Sequence, residues 1–343
     1  LRHLLALLLF LPACAPVGST GGTPPVDQGV HDAGITTINP DADITSIDPD
    51  AAVADAAPDA SVPDASPTIG VATFNVQRFF DMTCNSGRCG PDDFEAQFDQ
   101  RDFDTKAEDV ARAIVRLHVE HGADVIMLQE LENDLCLEHL QIYLDRFEAP
   151  FTVSILGETH FAGSMDVAIV ARGEHQRTIT HRENPIYRPD GSRTQFSREL
   201  LEVHLSIDGY PVVAFSAHFK SKFGDDAGRR IAEARATREI LHEAALANPE
   251  ALVVLGGDLN DTPGSDTLND LEESGYFDRV AAELGEEAAT YVYFDERSAI
   301  DHIYHAHEAS GRYQPGSAQV VRSTGQNGLV GSDHAALAAR FAL

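Results

Sequence analysis

Five polar clusters in this chain sit at the ends of apolar runs, and that placement limits the fold more than any other feature. Residues 251–256 are all apolar or glycine and lead into Gly257-Asp258-Leu259-Asn260. The run before Asn75 ends in Thr73-Phe74, and 124–128 leads into Gln129-Glu130. Residues 211–217 end at His218-Phe219-Lys220, and Ser332-Asp333-His334 adjoins 335–341. A short continuous apolar run bounded by polar residues and glycine is the pattern of a strand covered on both faces. A chain with several such strands needs layers of structure outside its sheets.

Segments with helical spacing supply those layers. Ala107, Val110, Ala111, Ile114 and Leu117 recur at helical intervals within 105–121, and Gly122 stops the pattern. Helices are also expected over 133–146 and 225–247. Further strands are expected at 69–76, 165–171, 199–207 and 211–217, the last two joined as a hairpin by Asp208-Gly209. Shorter strands are expected near 289–294, 302–305, 318–322 and 335–341. Strands and helices interleave but hairpins are frequent, which favours a mixed-sheet α/β sandwich over a doubly wound parallel sheet.

The chain has 343 residues, enough for one large domain with accessories. Residues 1–13 hold one arginine and a short apolar run, and Leu11-Pro12-Ala13-Cys14 resembles the lipobox of bacterial lipoproteins. That resemblance implies export, cleavage before Cys14 and anchoring to the cell envelope through a lipid on its thiol. An ordinary secretory signal with a chance cysteine is the plainer alternative. Residues 14–67 are rich in Asp, Ala and Pro, lack aromatic residues, and suit an extended, self-repelling tether. The folded body is expected over 68–343. The net charge is −30, of which −22 falls on residues 69–343, so the overall field does not attract nucleic acid. A local basic strip or bound cations would be needed. Cys84 and Cys89 suit a disulfide across a turn, although pairing of Cys136 with either stays open.

A lone Asp or Asn at a strand end is usually a turn or cap residue. Here Asn75, Glu130, His218, Asp258, Asn260, Asp333 and His334 all stand at such ends, and Asp301 opens a further strand in Ala299-Ile300-Asp301-His302. Gln129-Glu130, Gly257-Asp258-Leu259-Asn260 and Ser332-Asp333-His334, in this order, are specific motifs. The chain resembles the endonuclease/exonuclease/phosphatase superfamily, the deoxyribonuclease-like enzymes, over about 68–343. The resemblance implies a four-layered α/β sandwich with two facing mixed β-sheets and a site at one edge. It implies that Glu130, with Asn75 beside it, holds a catalytic Mg²⁺ or Mn²⁺, with Asp258 and Asp333 on the metal side; Ca²⁺ is an alternative as a structural ion. Asp258 and Asn260 would orient the attacking water and contact the phosphate. His334 would be the general base, oriented by Asp301. His218 would be the second histidine, with Asp166 as a looser candidate for its carboxylate partner.

The chemistry agrees with those residue types. A phosphodiester repels anionic nucleophiles, so a cation must shield its oxygens. A histidine held by a carboxylate can move a proton near neutral pH. Arg78, Arg193, Arg198, Lys220, Lys222, Arg229 and Arg230 adjoin the motifs, and the segment around Arg198 resembles the arginine-bearing segment of secreted deoxyribonucleases. Arg198, Lys220 and Asn260 are therefore the expected substrate-binding residues, with arginine forks suited to phosphate. His302, His305 and His307 are expected to be structural. The expected function is hydrolysis of DNA, with RNA as a second substrate, by a monomer. A phosphatase or sphingomyelinase-type phosphoesterase of the same fold and a non-catalytic surface lipoprotein are the alternatives.

Overall fold

The computed structural model describes residues 67–90 and 93–343. The expected signal segment, Cys14 and nearly all of the tether lie outside them. The first sheet contains β1 (Thr68–Phe79), β2 (Ala123–Leu131), β3 (Val153–Gly157), β4 (Asp166–Ala171), β15 (Arg312–Tyr313), β16 (Gln319–Val321) and β17 (Ala336–Ala342). Its order is β15-β17-β1-β2-β4-β3, with β16 also on β17. The second sheet contains β5 (Glu174–Thr180), β8 (Leu201–Ile207), β9 (Tyr210–His218), β10 (Leu252–Asp258), β11 (Phe277–Arg279) and β14 (Asp301–Ala306), in the order β11-β14-β10-β9-β8-β5. Two small ribbons pair β6 (Ile186–Tyr187) with β7 (Arg193–Thr194), and β12 (Tyr291–Tyr293) with β13 (Glu296–Ser298). The helices are α1 (Gln100–His121), α2 (Asp134–Arg146), α3 (Ala227–Ala247) and α4 (Asp266–Glu272).

Three apolar clusters separate four layers. The period-two alternation of the central strands sends Val71, Val125, Val167, Val212, Val254 and Ile303 into the space between the sheets. The intervening Phe74, Leu128 and Val170 pack under α1 and α2. Val253, Leu255, Phe215 and Tyr304 pack under α3 and α4. The four-layered sandwich expected from the sequence is the fold observed. Asp99 and Gly122 cap α1, the glycine adopting a left-handed φ of 72°.

Each sheet has one parallel pair at its centre, β1 with β2 and β9 with β10. Each pair is joined by a crossover helix, α1 or α3. The carboxyl ends of these four strands lie toward one edge and carry Asn75, Glu130, His218 and Asp258. Asp258 is in register with His218 on one side and Asp301 on the other. By alternation Asn75, His218, Asp258 and Asp301 belong to the inner faces, the same rows as Val71, Val212, Val254 and Ile303. Two sheets facing each other thus turn distant strand ends toward a common space.

The structure adds elements that the sequence pattern did not reveal: β3, the exposed edge strand β5, α4, β11 and a 3₁₀ segment over Val280–Ala288. The expected hairpin at Asp208-Gly209 is present between β8 and β9. Cys84 and Cys89 form the disulfide, and Cys136 is free and buried, its Sγ donating to the Phe79 carbonyl.

Gly256 and Gly257 show how closely the layers approach at the site. A Cβ on Gly256 would lie 2.1 Å from Met127 Cε and 3.1 Å from Thr73 Cβ of the facing sheet. A Cβ on Gly257 would lie 2.1 Å from the Ala217 carbonyl oxygen on the neighbouring strand. Methionine can move its terminal methyl, whereas a paired backbone carbonyl cannot yield. Gly257→Ala is expected to lower unfolding free energy by about 1–3 kcal/mol, and by more than Gly256→Ala, in denaturant titrations of the two variants.

Candidate active site

The floor of the site is polar and crosses between the sheets. Thr73 Oγ1 donates to Gln129 Oε1 at 3.3 Å, Gln129 Nε2 donates to Ser216 Oγ at 3.3 Å, and Ser216 Oγ donates to the Leu128 carbonyl at 3.2 Å. Above it, Asn75 Nδ2 donates to Glu130 Oε1 and to Asp258 Oδ2, both at 3.1 Å. One amide thus holds two carboxylates from opposite sheets. Its Oδ1 accepts from the Gln77 N–H at 2.9 Å, so Asn75 here spaces the two acids.

Glu130 is aimed by a bulge. Gln129 pairs with Val167 and Leu131 with Asp166, leaving Glu130 as the extra residue with φ 71°. Bulges of this kind redirect a side chain, at a cost of about 1–3 kcal/mol for a non-glycine left-handed residue. Gln77 and Arg78 are also left-handed, at φ 56° and 52°, which turns the Arg78 N–H onto Glu130 Oε2 at 2.8 Å. Asn260, at φ 53°, donates its N–H to Asp258 Oδ1 at 2.9 Å. The turn beyond it is held by Asp261, which accepts from buried Arg230 and Thr267, and whose carbonyl meets His302 Nε2 at 3.0 Å.

The two histidines sit in opposite electrostatic settings. His334 Nδ1 is 2.9 Å from Asp301 Oδ2, which also accepts from Thr290 Oγ1 at 2.5 Å. Burial works against a charge on His334, but the Asp301 carboxylate and its hydrogen bond, with Asp258 and Asp333, push the ring up to about 10. The Tyr291 ring lies 4.8 Å from it. His218 Nε2 is 3.7 Å from Asp258 Oδ2, and its buried Nδ1 has no hydrogen-bond partner among the described residues. Burial, then the positive Arg198 and His334, hold it well below the usual histidine range. Side by side, the residues alone favour a charged ring at His334 and a neutral ring at His218.

The site suits a hard cation. Glu130, His218 and Asp258 each offer a ligand atom within 4.8 Å of the others, as do Asp258, Asp301 and His334. Asp301 Oδ1 and Asp333 Oδ1 are buried without hydrogen-bond partners among the described residues. Burial and the Asp301 charge raise Asp258 to about 7, and burial also raises Asp333. A divalent cation would relieve that crowding of carboxylates, and an oxygen-rich donor set favours Mg²⁺, Mn²⁺ or Ca²⁺ over soft metals.

Other expected site residues are placed differently. Asp166 is fully buried, and its oxygens accept from Thr159 N–H, Thr159 Oγ1 and Ser164 Oγ at 2.8–3.2 Å. It closes the loop before β4, and the expected Asp166–His218 pair is not formed. Lys220 turns its ammonium onto the Ser221 and Phe223 carbonyls, at 2.8 and 2.7 Å. Lys222 pairs with Asp261, Arg230 with Asp225 and Asp261, and Arg78 with the Asp93 and Phe94 carbonyls. Arg198 remains beside the site: Arg198 Nη1 and Asn260 Nδ2 share the Phe219 carbonyl, at 3.2 and 3.1 Å. The sequence pattern missed Thr290 and Tyr291, which lie in a short ribbon strand and its approach. It also missed Lys106 on α1, whose ammonium is 2.5 Å from the Val76 and Gly331 carbonyls and ties together the loops bearing Gln77 and Ser332.

A histidine whose folded pKa is raised stabilises the fold fully below its ordinary value near 6.5, and that stabilisation is lost as pH rises through about 10. In EDTA, the melting-temperature gap between the protein and Asp301→Asn is expected to be widest near pH 6 and to close toward pH 10. A gap that widens with pH would contradict this pairing.

Comparison with known proteins agrees with the fold. The truncated TDP2 of Caenorhabditis elegans aligns at a TM-score of 0.54 with 18% identity, covering 80% of this chain and 98% of that one. The catalytic domain of human Nocturnin, with a bound sulfate anion, aligns at 0.55 with 15% identity, covering 81% and 95%. D. rerio TDP2 complexed with a single-strand DNA product aligns at 0.51 with 16% identity, covering 80% and 98%. No curated protein matches the sequence. A family model matches residues 70–307, a span that takes in Asn75, Glu130, His218, Asp258, Asn260 and Asp301, and the chain belongs to the Endonuclease/Exonuclease/phosphatase family.

Proposed function

We propose that this protein is an exported, divalent-cation-dependent phosphodiesterase that hydrolyses nucleic acid, DNA in preference to RNA. The observation that carries this is the convergence of Glu130 and Asp258 from opposite sheets onto the Asn75 amide, beside two histidines of opposite charge preference. The single-strand DNA product held by D. rerio TDP2, on a similar fold, supports a nucleic-acid substrate.

Glu130, Asp258 and Asp333 would hold the cation, with Asn75 keeping the first two apart. When bound, it shields the charge of the phosphoryl oxygens. His218, neutral at pH 7, takes the proton of the attacking water. His334, charged through Asp301, presents its proton to the oxygens that gain charge and to the leaving oxygen. Asp301 orients the ring and supports its charge, and Tyr291 packs against it. Arg198 and Asn260, anchored on one carbonyl, offer their remaining N–H groups to the phosphate.

One feature favours a second substrate. Tyr293 and Phe294, at the tip of the β12–β13 ribbon, are 60% and 86% exposed. Such a tip suits an unstacked base, and equally the surface of a lipid layer. A sphingomyelin or other phospholipid headgroup is therefore the alternative diester.

Purified protein incubated with plasmid, RNA or sphingomyelin vesicles separates these readings. Plasmid cleavage that needs Mg²⁺ or Mn²⁺ and stops in EDTA is expected. His218→Ala and His334→Ala should each lower kcat by about 10²–10⁴. Glu130→Gln should raise the Mg²⁺ concentration needed. Headgroup release without plasmid nicking would shift the assignment to phospholipid, and no turnover of any substrate would end the enzyme assignment. The lipid anchor is part of the same proposal: Cys14→Ser should move the protein from the membrane fraction to the soluble fraction of the producing bacterium. Retention in the membrane would remove the anchor.

A further inference from the structure

Beside the active site lies an open cavity of about 610 Å³ lined by Phe161, Arg182, Arg193, Gln195, Ser197 and Arg229. Three guanidinium groups in one cavity are unexpected on a body of net charge −22. Arg193 is exposed, and among the described residues its guanidinium makes no hydrogen bond or salt bridge. Arg229 spends its Nε on the Gln195 carbonyl at 2.9 Å, and its terminal nitrogens make no hydrogen bond among the described residues. Arg182 is buried, with its Nε unpartnered, and Ser197 Oγ is likewise buried and unpartnered. The nearby acids reach only two of the three: Glu233 is 3.7 Å from Arg229, and Arg182 has Glu183 at 3.3 Å and Glu199 beside its backbone, which leaves Arg193 without a carboxylate among the described residues. Phe161 is 64% exposed, with the Arg182 guanidinium 4.8 Å from its ring centre.

The buried Arg182 Nε and Ser197 Oγ, beside the unpaired Arg193 and the free terminal nitrogens of Arg229, fit an anion with several oxygens. The cavity is also joined to the catalytic end of the fold. Ser197 precedes Arg198, which shares the Phe219 carbonyl with Asn260, and Glu233 ties the Ser197 and Lys220 backbones to α3. An exposed aromatic face at the rim offers a stacking surface for a base.

We propose that this cavity is a second phosphate subsite, which holds a backbone phosphate of the nucleic-acid strand flanking the scissile one, with a base against Phe161. The inference rests on the nucleic-acid assignment above and adds where the strand runs: past Arg198 and over Arg229 and Arg193. A subsite of this kind raises affinity without reading sequence.

The test is binding of a fluorescent single-stranded oligonucleotide by the full chain in EDTA, followed by anisotropy across a salt series, with cleavage in Mg²⁺ measured alongside. Arg193→Ala is the main variant because Arg193 is exposed and unpaired, and Phe161→Ala is the second. Both should keep the wild-type melting temperature. Arg193→Ala is expected to weaken binding about three- to tenfold and to reduce the salt slope by about one. Phe161→Ala should weaken binding with no change in that slope. If wild type cleaves the oligonucleotide but both variants bind it as wild type does, the subsite is overturned and the nuclease assignment stands. If wild type neither binds nor cleaves it, both fall. Inorganic phosphate distinguishes a free-ion site: Arg193-dependent phosphate binding with unchanged oligonucleotide affinity would overturn the strand assignment.

Discussion

The site depends on one amide between two sheets. Asn75 stands just before the register shift near the carboxyl end of a central strand of the first sheet, and its two N–H groups reach Glu130 on the adjacent strand and Asp258 on the facing sheet. Two carboxylates so close repel each other, and buried Asp258 is already raised to about 7. The amide offsets part of that repulsion and sets the spacing that a cation would complete. The surrounding features serve that geometry: the bulge at Glu130, the left-handed turn at Gln77 and Arg78, and the glycines that let the layers approach.

The layered architecture explains why the chemistry lies at an edge. A parallel pair at the centre of each sheet requires a crossover helix on its outer face, and the two helices cover the sandwich from opposite sides. The strand ends are the part of the inner face that no apolar layer covers. Polar side chains can stand there with partial access to solvent, while the rest of the same rows is filled by valine, leucine and isoleucine. The Thr73–Gln129–Ser216 floor marks the transition between the two environments.

The surface charge has a similar local logic. Lys220, Lys222, Arg230 and Arg78 bind carbonyls or carboxylates of the loops around the site, so they brace it. Arg193, Arg198 and Arg229 retain unbonded nitrogens. A count of basic residues along the chain does not separate these two groups, because the difference lies in which acceptors the fold brings within reach.

The strand-end motifs, the helical spacing and the order of Gln129-Glu130, Gly257-Asp258-Leu259-Asn260 and Ser332-Asp333-His334 were enough to identify the layers and most of the residues that the fold gathers at the candidate site, since periodicity and strand termini are local properties. What the chain alone did not reveal came from contacts between distant segments. Asp166 carries the right group at a strand start, yet its oxygens are consumed by Thr159 and Ser164. Lys106 and Tyr291 carry no motif and join the site only because α1 and the β12–β13 ribbon fold beside it. The charge of each histidine was also undecided until burial and neighbours were in place: Asp301 favours the imidazolium of His334, while desolvation and nearby positive charge oppose it on His218. Sequence determines which groups are available at which strand ends; tertiary structure decides their partners and protonation, because electrostatics and hydrogen bonding depend on distance through space and not on separation along the chain.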